Sequence, residues 1–302
     1  MARELYKRQV SLLLVVLPEI AKEATFALHG GTAINLFVRD MPRLSVDIDI
    51  TYIPFDDRPT SLKNILEALE RCKERIKKVA SSSTIHQNTG EFKIVINDKG
   101  VTVKVEVNTI NRGTLSAPIN MVLCEKAQSE FDAYCKIGTV PTGQLFGGKI
   151  VAALDRQHPR DLFDVKYILD NEGFTDEIKT GFLLLLICSD RPIHEVLFPK
   201  LQDQRMAMEN QFTGMTEEEF TYNEYEHVRN KMIDTIHKSL TEKDKQFLLS
   251  IKGLNPDWNM YDFQKFPAVQ WKLQNLQKLK DNSEQKYKHM FEELEKNLRN
   301  LK

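Results

Sequence analysis

Two short motifs in the first fifty residues combine groups that could bind a phosphate and a divalent cation. Gly30-Gly31-Thr32 precedes an apolar, helix-forming run, and Asp47-Ile48-Asp49 stands within an alternating apolar run. A backbone without Cβ can approach a ligand closely, and a helix N-terminus attracts phosphate. Two carboxylates one residue apart on a strand share a face and repel each other unless a cation lies between them. These motifs together predict a phosphate site beside a Mg²⁺ site, as nucleotide chemistry requires.

The acidic pair also has an ordinary interpretation, because an isolated Asp-x-Asp is most often a pair of solvated charges on a strand or turn. Alternation with Val46 and Ile50 and the preceding glycines favour metal binding by Asp47 and Asp49. Glu106 lies on the polar face of a further predicted strand. It is the candidate third acidic ligand, although a surface strand also carries glutamate at such a position.

Arg43 and Ser45 lie just before the acidic strand. A guanidinium and a hydroxyl at this point could both contact a phosphate. An ordinary loop arginine fits the position almost equally well, so both interpretations stay open.

A third polar cluster follows the sequence Gly147-Gly148-Lys149. Lys149 and Arg156 are seven residues apart and share a face if one helix joins them. The cluster is completed by Arg160, Asp161 and Asp164. The two cations could bind phosphates, with either carboxylate orienting them or acting as a base; capping of the next helix is the ordinary role of these aspartates. The glycine pair is not a P-loop, since the other spaced glycine and the Ser or Thr after the lysine are absent.

Composition limits the class of protein. The chain has 302 residues, 41% of them hydrophobic, with a net charge of -1 and 4 cysteines. Bulk charge therefore does not indicate a nucleic-acid binder, and widely spaced cysteines do not indicate a disulfide framework. The apolar run 12–17 is too short to span a membrane and predicts a buried helix. We expect a cytoplasmic protein without a membrane segment.

Hydrophobic periodicity predicts an α+β fold. The pattern has period two in four segments, and these predicted strands cover 26–29, 47–52, 92–96 and 101–107. Helical spacing covers the N-terminus, 61–79 and most of the chain after residue 125. We expect a short mixed sheet flanked by helices in residues 1–170, followed by an α-helical domain in residues 171–302. The 61–79 helix carries a basic stripe that is a candidate RNA contact, with a solvated face as the alternative. The stripe consists of Lys63, Lys73, Arg75, Lys77 and Lys78.

Three groups of residues resemble motifs of the AbiEii/AbiGii toxins. They are Gly30-Gly31-Thr32, then Arg43-x-Ser45-x-Asp47-x-Asp49, and then Lys149 with Arg156 and Arg160-Asp161-x-x-Asp164. That family includes the MenT toxins and belongs to the DNA polymerase β-like nucleotidyltransferase superfamily. The resemblance covers about residues 20–170. It implies that the first motif meets the phosphates of an NTP, that Asp47 and Asp49 bind Mg²⁺, and that Lys149 contacts the triphosphate. Asp161 or Asp164 would complete the catalytic site.

The resemblance further implies a type IV toxin–antitoxin or phage-defence enzyme. It would transfer NMP from an NTP to an RNA acceptor, with the 3′ end of tRNA as the expected acceptor and a cognate antitoxin as a partner. Two alternatives remain at the level of sequence. The acceptor hydroxyl could belong to a protein or a small molecule, or the chain could be a non-catalytic NTP-binding module.

Overall fold

The computed structural model describes residues 2–301. The chain forms two compact units. The first contains the residues up to Pro141 together with Met206–Glu219, and the second contains Thr142–Arg205 and the residues from Phe220 onward. The chain therefore enters the second unit, returns to the first for one short segment, and then leaves it again.

The helices within residues 2–301 are α1 (Ala2–Ile20), α2 (Gly30–Ala33, continued by a π-helical turn, Ile34–Val38), α3 (Arg58–Val79), α4 (Glu125–Phe131), α5 (Thr142–Arg156), α6 (Pro159–Asn171), α7 (Asp176–Ile187), α8 (Ile193–Leu197), α9 (Arg205–Gln211), α10 (Tyr222–Ser239), α11 (Glu242–Lys252), α12 (Pro267–Asn282) and α13 (Glu284–Arg299). The strands are β1 (Phe26–His29), β2 (Asp47–Tyr52), β3 (Thr84–Asn88), β4 (Lys93–Asp98), β5 (Val101–Asn108), β6 (Ile119–Val122) and β7 (Lys136–Thr139).

All of the strands in the described part of the chain join one mixed sheet in the first unit, in the order β3-β4-β5-β2-β1-β7-β6. β2 runs parallel to β5 and antiparallel to β1, and β1 runs parallel to β7. The central strand β2 therefore carries the acidic motif, and its neighbour β1 leads into the glycine motif. Their neighbours fix the register in which these residues face each other.

The sheet has one apolar and one polar face because apolar and polar residues alternate along its central strands. Ile48 and Ile50 on β2 are fully buried, as are Val103 and Val105 on β5. These side chains lie on the face that packs against α1 and α3. Residues of the opposite parity, such as Glu106, point to the other face. Because the apolar face of the sheet is buried, the polar side chains of β2 and β5 lie on the opposite face.

The second unit is helical, and α5 packs against α7 at very short range. A Cβ on Gly147 of α5 would lie 2.2 Å from the backbone nitrogen of Phe182. On the facing helix, a Cβ on Gly181 would lie 2.2 Å from the carbonyl oxygen of Gly143. Only glycine permits this approach, so Gly147 has a packing role.

The prediction of a mixed sheet with a helical second half is confirmed, and the four predicted strands are present. Three strands were not predicted, namely β3, β6 and β7. The polar β3 and the short β6 and β7 lack a strong alternating pattern, and β3 and β6 are edge strands held by one neighbour each. The compact units divide at Thr142, because α5 and α6 pack with the helices of the second unit. Within residues 2–301, no helix combines the length and apolar character that crossing a membrane requires.

Candidate active site

Gly30 and Asp49 meet where β1 ends and α2 begins. His29, the last residue of β1, is the register partner of Asp49 on β2. Gly30 has a φ of +74° and starts α2. A Cβ on Gly30 would lie 2.6 Å from Asp49 Oδ2, so the glycine leaves the space that this carboxylate uses. The glycine and acidic motifs therefore form one local structure.

The second glycine faces two polar side chains from the segment before β2. A Cβ on Gly31 would lie 2.8 Å from Arg43 Nη2 and 3.0 Å from Ser45 Oγ. Thr32 Oγ1 hydrogen-bonds the backbone carbonyl of Asp47 and lies 3.0 Å from Ser45 Oγ. Thr32, Arg43 and Ser45 are all buried. We name this set, Gly30, Gly31, Thr32, Arg43 and Ser45, the glycine cradle.

The segment carrying Arg43 is held from outside the sheet by the part of the chain that returns to the first unit. Leu44 donates its N–H to the Met215 carbonyl at 2.7 Å, and Arg43 forms an isolated antiparallel bridge with Thr216. The Thr216 hydroxyl donates to the Pro42 carbonyl at 2.9 Å. The position of Arg43 and Ser45 thus depends on residues that lie about 170 positions later in sequence.

Glu106 joins the acidic pair through the register of β2 and β5. Asp49 pairs with Glu106 and Asp47 pairs with Lys104. A cavity of about 390 Å³ opens on this polar face of the sheet. It is lined by His29, Asp49, Glu91, Lys93, Glu106, Val107 and Asn108.

These residues fit a divalent metal by the chemistry of their donors. Asp47 and Asp49 share a strand face, and their ligand atoms are carboxylate oxygens. No group of three His, Cys, Asp or Glu side chains within residues 2–301 is close enough to hold a metal without rearrangement. Metal binding by Asp47, Asp49 and Glu106 therefore stays a prediction.

In the second unit, Lys149 lies at the centre of a buried ion-pair cluster. Its ammonium is 2.8 Å from Asp161 Oδ1 and 3.0 Å from Asp164 Oδ2, and all three residues are at most 8% exposed. Arg156 Nη2 contacts the other oxygen of Asp161 at 2.9 Å. The structure brings together both cations and both carboxylates of this predicted cluster. Arg160 lies in the first turn of α6, where its backbone N–H donates to His158 Nδ1 at 3.1 Å.

A buried network behind this cluster escaped sequence analysis. Gln157 joins α5 to α6 with a φ of +50° and is 1% exposed. Its carbonyl accepts from Tyr225 OH at 2.7 Å, and its side chain bonds the backbone of Lys200 and Gln202 at 2.8 and 3.0 Å. Arg229 donates to the Gln202 carbonyl at 2.8 Å. The only local signal was the non-helical Gln157-His158-Pro159 break, whereas the partners come from distant positions.

The basic stripe on α3 is largely paired with acids. Lys63, Lys73 and Lys77 form ion pairs with glutamates one turn away on the same helix. Arg75, together with Arg71, holds Glu23 at 2.8 Å. Intrahelical pairing and the α1–α3 contact account for these four charges, as a solvated face would, and the RNA contact stays a prediction.

Similarity to known proteins identifies the family. A family model for "Nucleotidyl transferase AbiEii toxin, Type IV TA system" matches residues 12–275. The chain belongs to the AbiEii family. It is therefore a nucleotidyltransferase toxin of a type IV toxin–antitoxin system, as the motif resemblance predicted.

The fold is also similar to that of a solved nucleotidyltransferase toxin. MenT4, a nucleotidyltransferase toxin from Mycobacterium tuberculosis H37Rv, superposes with a TM-score of 0.62 over 91% of this chain and 99% of its own. The two sequences are 12% identical, so the likeness concerns the fold. No curated protein shows significant similarity to the AbiEii chain.

Proposed function

We propose that this AbiEii protein is a Mg²⁺-dependent enzyme that transfers NMP from an NTP to an RNA hydroxyl. The expected acceptor is the 3′ end of tRNA, the expected compartment is the cytoplasm, and a cognate antitoxin is the expected partner. The observation that supports the proposal is the close approach of Gly30 to the Asp49 carboxylate, because the glycine cradle then lies beside the acidic pair. Family membership supports the reaction class.

The reaction requires an exchange of bonds at the α-phosphorus. The acceptor oxygen forms a bond to this phosphorus, the bond to the oxygen bridging the β-phosphate breaks, and pyrophosphate leaves with that electron pair. The hydroxyl proton passes to a carboxylate, and Glu106, which lines the cavity, is the proposed acceptor of this proton. Bound Mg²⁺ would supply charge stabilisation to the attacking and leaving oxygens, and Asp47 and Asp49 would hold it.

The other predicted residues have distinct proposed roles. Backbone N–H groups of the glycine cradle, with Arg43 and Ser45, would bind phosphate oxygens. Lys149, Arg156 and Arg160 are proposed contacts of the triphosphate. Asp161 and Asp164 already hold the Lys149 ammonium by ion pairs, which supports their role as positioning groups.

Transfer of label tests the proposal directly. Purified protein is incubated with Mg²⁺, total tRNA and each α-labelled NTP in turn, and the products are separated on a denaturing gel. We expect label in tRNA with the wild-type protein and at least a hundredfold less with Asp49→Asn, because this change removes the negative charge and retains the shape. Asp281→Asn, on the exposed surface of α12, is the matched control and should retain activity.

The same gel separates the alternatives. Label in a protein band or a small product, with none in RNA, would move the acceptor to another hydroxyl. NTP binding that survives Asp49→Asn, without transfer to any acceptor, would indicate a non-catalytic module. Equal labelling of tRNA by wild type and Asp49→Asn would contradict the proposed role of the acidic pair.

A further inference from the structure

The cavity on the polar face of the sheet extends away from the glycine cradle. Arg43 and Ser45 of the cradle precede Asp47, the first residue of β2. The far wall of the cavity is formed by Asn108, which is the register partner of Thr51 near the other end of β2. Four residues of strand correspond to about 13 Å. Asp49 therefore lies between the cradle, which it meets at Gly30, and the part of the cavity formed by Asn108, while His29 lines the cavity at the level of Asp49.

The charge of the cavity disfavours a triphosphate. Its lining contains three carboxylates, from Asp49, Glu91 and Glu106, and one ammonium, from Lys93. Apart from the cation that Asp49 would hold, such a lining repels a polyanion, and the carboxylates offer acceptors to hydroxyl groups. The cavity of about 390 Å³ lies within the usual range for small-ligand sites, about 300–1,000 Å³. A neutral ligand rich in hydroxyls fits this lining better than the phosphates of an NTP.

Two hydrogen-bond donors complete the lining. Asn108 Oδ1 accepts the backbone N–H groups of Ile110 and Asn111 at 2.9 and 2.8 Å. Because its oxygen is occupied by this turn, the Asn108 amide offers the cavity its NH₂ donors. Lys93 supplies the second donor. Its ammonium also forms an ion pair with the carboxylate of Glu91.

We propose that this cavity binds the 3′-terminal nucleoside of the RNA acceptor. The ribose hydroxyls would donate toward Asp49 and Glu106, and acceptor groups on the base would receive hydrogen bonds from Asn108 and Lys93. Asn108 and Lys93 are then binding residues for the acceptor rather than for the NTP. This assignment rests on the proposed function, and it divides the two substrates between opposite sides of Asp49.

Asn108→Asp is the sharpest test because it keeps the turn and replaces the amide donor with a carboxylate acceptor. An aspartate oxygen can accept the same two backbone N–H groups, so the thermal unfolding temperature should change little. The cavity loses its amide donor and gains a negative charge. We expect the KM for tRNA to rise at least about tenfold, with the KM for the NTP within twofold of wild type.

Lys93→Met should raise the KM for tRNA in the same way, and Lys93→Arg should restore much of the affinity by returning a charged donor. Lys136→Met, which removes an exposed lysine on β7, is the control for a general loss of positive charge. Its KM values should match those of wild type.

The outcomes distinguish the two levels of the proposal. Labelled RNA with an unchanged KM for tRNA in both Asn108→Asp and Lys93→Met overturns the cavity assignment and leaves the proposed function intact. An increase in the KM for the NTP alone places the nucleotide base in the cavity and also overturns the assignment. No labelled RNA with the wild-type protein overturns the proposed function and this assignment with it.

Discussion

Asp49 Oδ2 occupies the space beside Gly30 so closely that a Cβ on Gly30 would lie 2.6 Å away. Gly30→Ala must therefore displace the carboxylate, in addition to holding an alanine at a φ of +74°. The strained backbone costs about 1–2 kcal/mol. We expect NMP transfer to fall by at least a hundredfold, a larger loss than the change in unfolding free energy explains. Steady-state transfer and denaturant unfolding measure the two effects.

Gly100→Ala is the matched control for this change. Gly100 also has a positive φ, +82°, in the turn between β4 and β5, but nothing lies within 4 Å of its Cβ position. Gly100→Ala should lower the free energy of unfolding through its strained backbone and should leave NMP transfer unchanged. Equal effects of the two substitutions on activity would indicate that displacement of Asp49 is not the cause.

The adjacent glycines of α5 give a second matched pair. A Cβ on Gly147 would lie 2.2 Å from the backbone of Phe182, whereas one on Gly148 would meet the terminal carbon of Leu185, which can move, at 2.7 Å. Gly147→Ala should destabilise the second unit by at least about 1–3 kcal/mol. Gly148→Ala should cost far less, since alanine favours the helix by about 1 kcal/mol. Denaturant midpoints compare the two, and similar midpoints would contradict the close α5–α7 contact.

The Lys149 cluster predicts a large effect of removing its cation. Lys149→Met leaves Asp161 and Asp164 buried without their shared ammonium, so unfolding free energy should fall by about 3–5 kcal/mol. Adding Asp164→Leu should recover part of the loss, because one buried charge is then removed. The exposed pair of Lys288 and Glu284 serves as the control: Glu284→Gln should change stability much less. A small effect of Lys149→Met would show that the cluster is not required for folding.

Asp244 predicts acid sensitivity of the second unit. Burial raises the pKa of this carboxyl, but hydrogen bonds from Tyr261 and Thr241 outweigh it, and the pKa lies below the ordinary value of 3.8. The unfolded chain therefore binds the proton first as pH falls. The stabilisation is complete well above pH 3.8 and is lost as pH falls through the lower folded pKa.

Unfolding free energy measured between pH 6 and 2 tests this dependence. Asp244→Asn should be less stable at pH 6 and should show a shallower decline below about pH 4 than wild type. Asp281→Asn on the surface of α12 should follow the wild-type curve. Parallel curves for wild type and Asp244→Asn would assign the acid sensitivity to other groups.

The strands that carry chemistry were predictable because their residues alternate. β2 and β5 bury isoleucine and valine on one face, so the positions of Asp49 and Glu106 on the other face followed from parity. The register that places those two acids side by side could not be predicted, since it depends on the pairing of strands more than fifty residues apart. The edge strands β3 and β6 lack the alternation and are defined by their neighbours.

Gly147-Gly148 is excluded as a phosphate loop by the missing spaced glycine and the missing Ser or Thr after Lys149. The packing role of Gly147 depends on Phe182, which no local pattern reveals. The Gln157 network also depends on residues distant in sequence, because Tyr225 and Arg229 contact it from α10. Local motifs thus predicted which groups take part, whereas tertiary contacts determine how they are held.

The return of Met206–Glu219 to the first unit has a consequence for dissecting this toxin. A fragment that stops at Pro141 would lack the strand-like partner that fixes Arg43 and the Leu44 backbone. A single cleavage therefore cannot yield two self-sufficient pieces. Residues 206–219 supplied in trans as a synthetic peptide would be the complement that such a fragment requires.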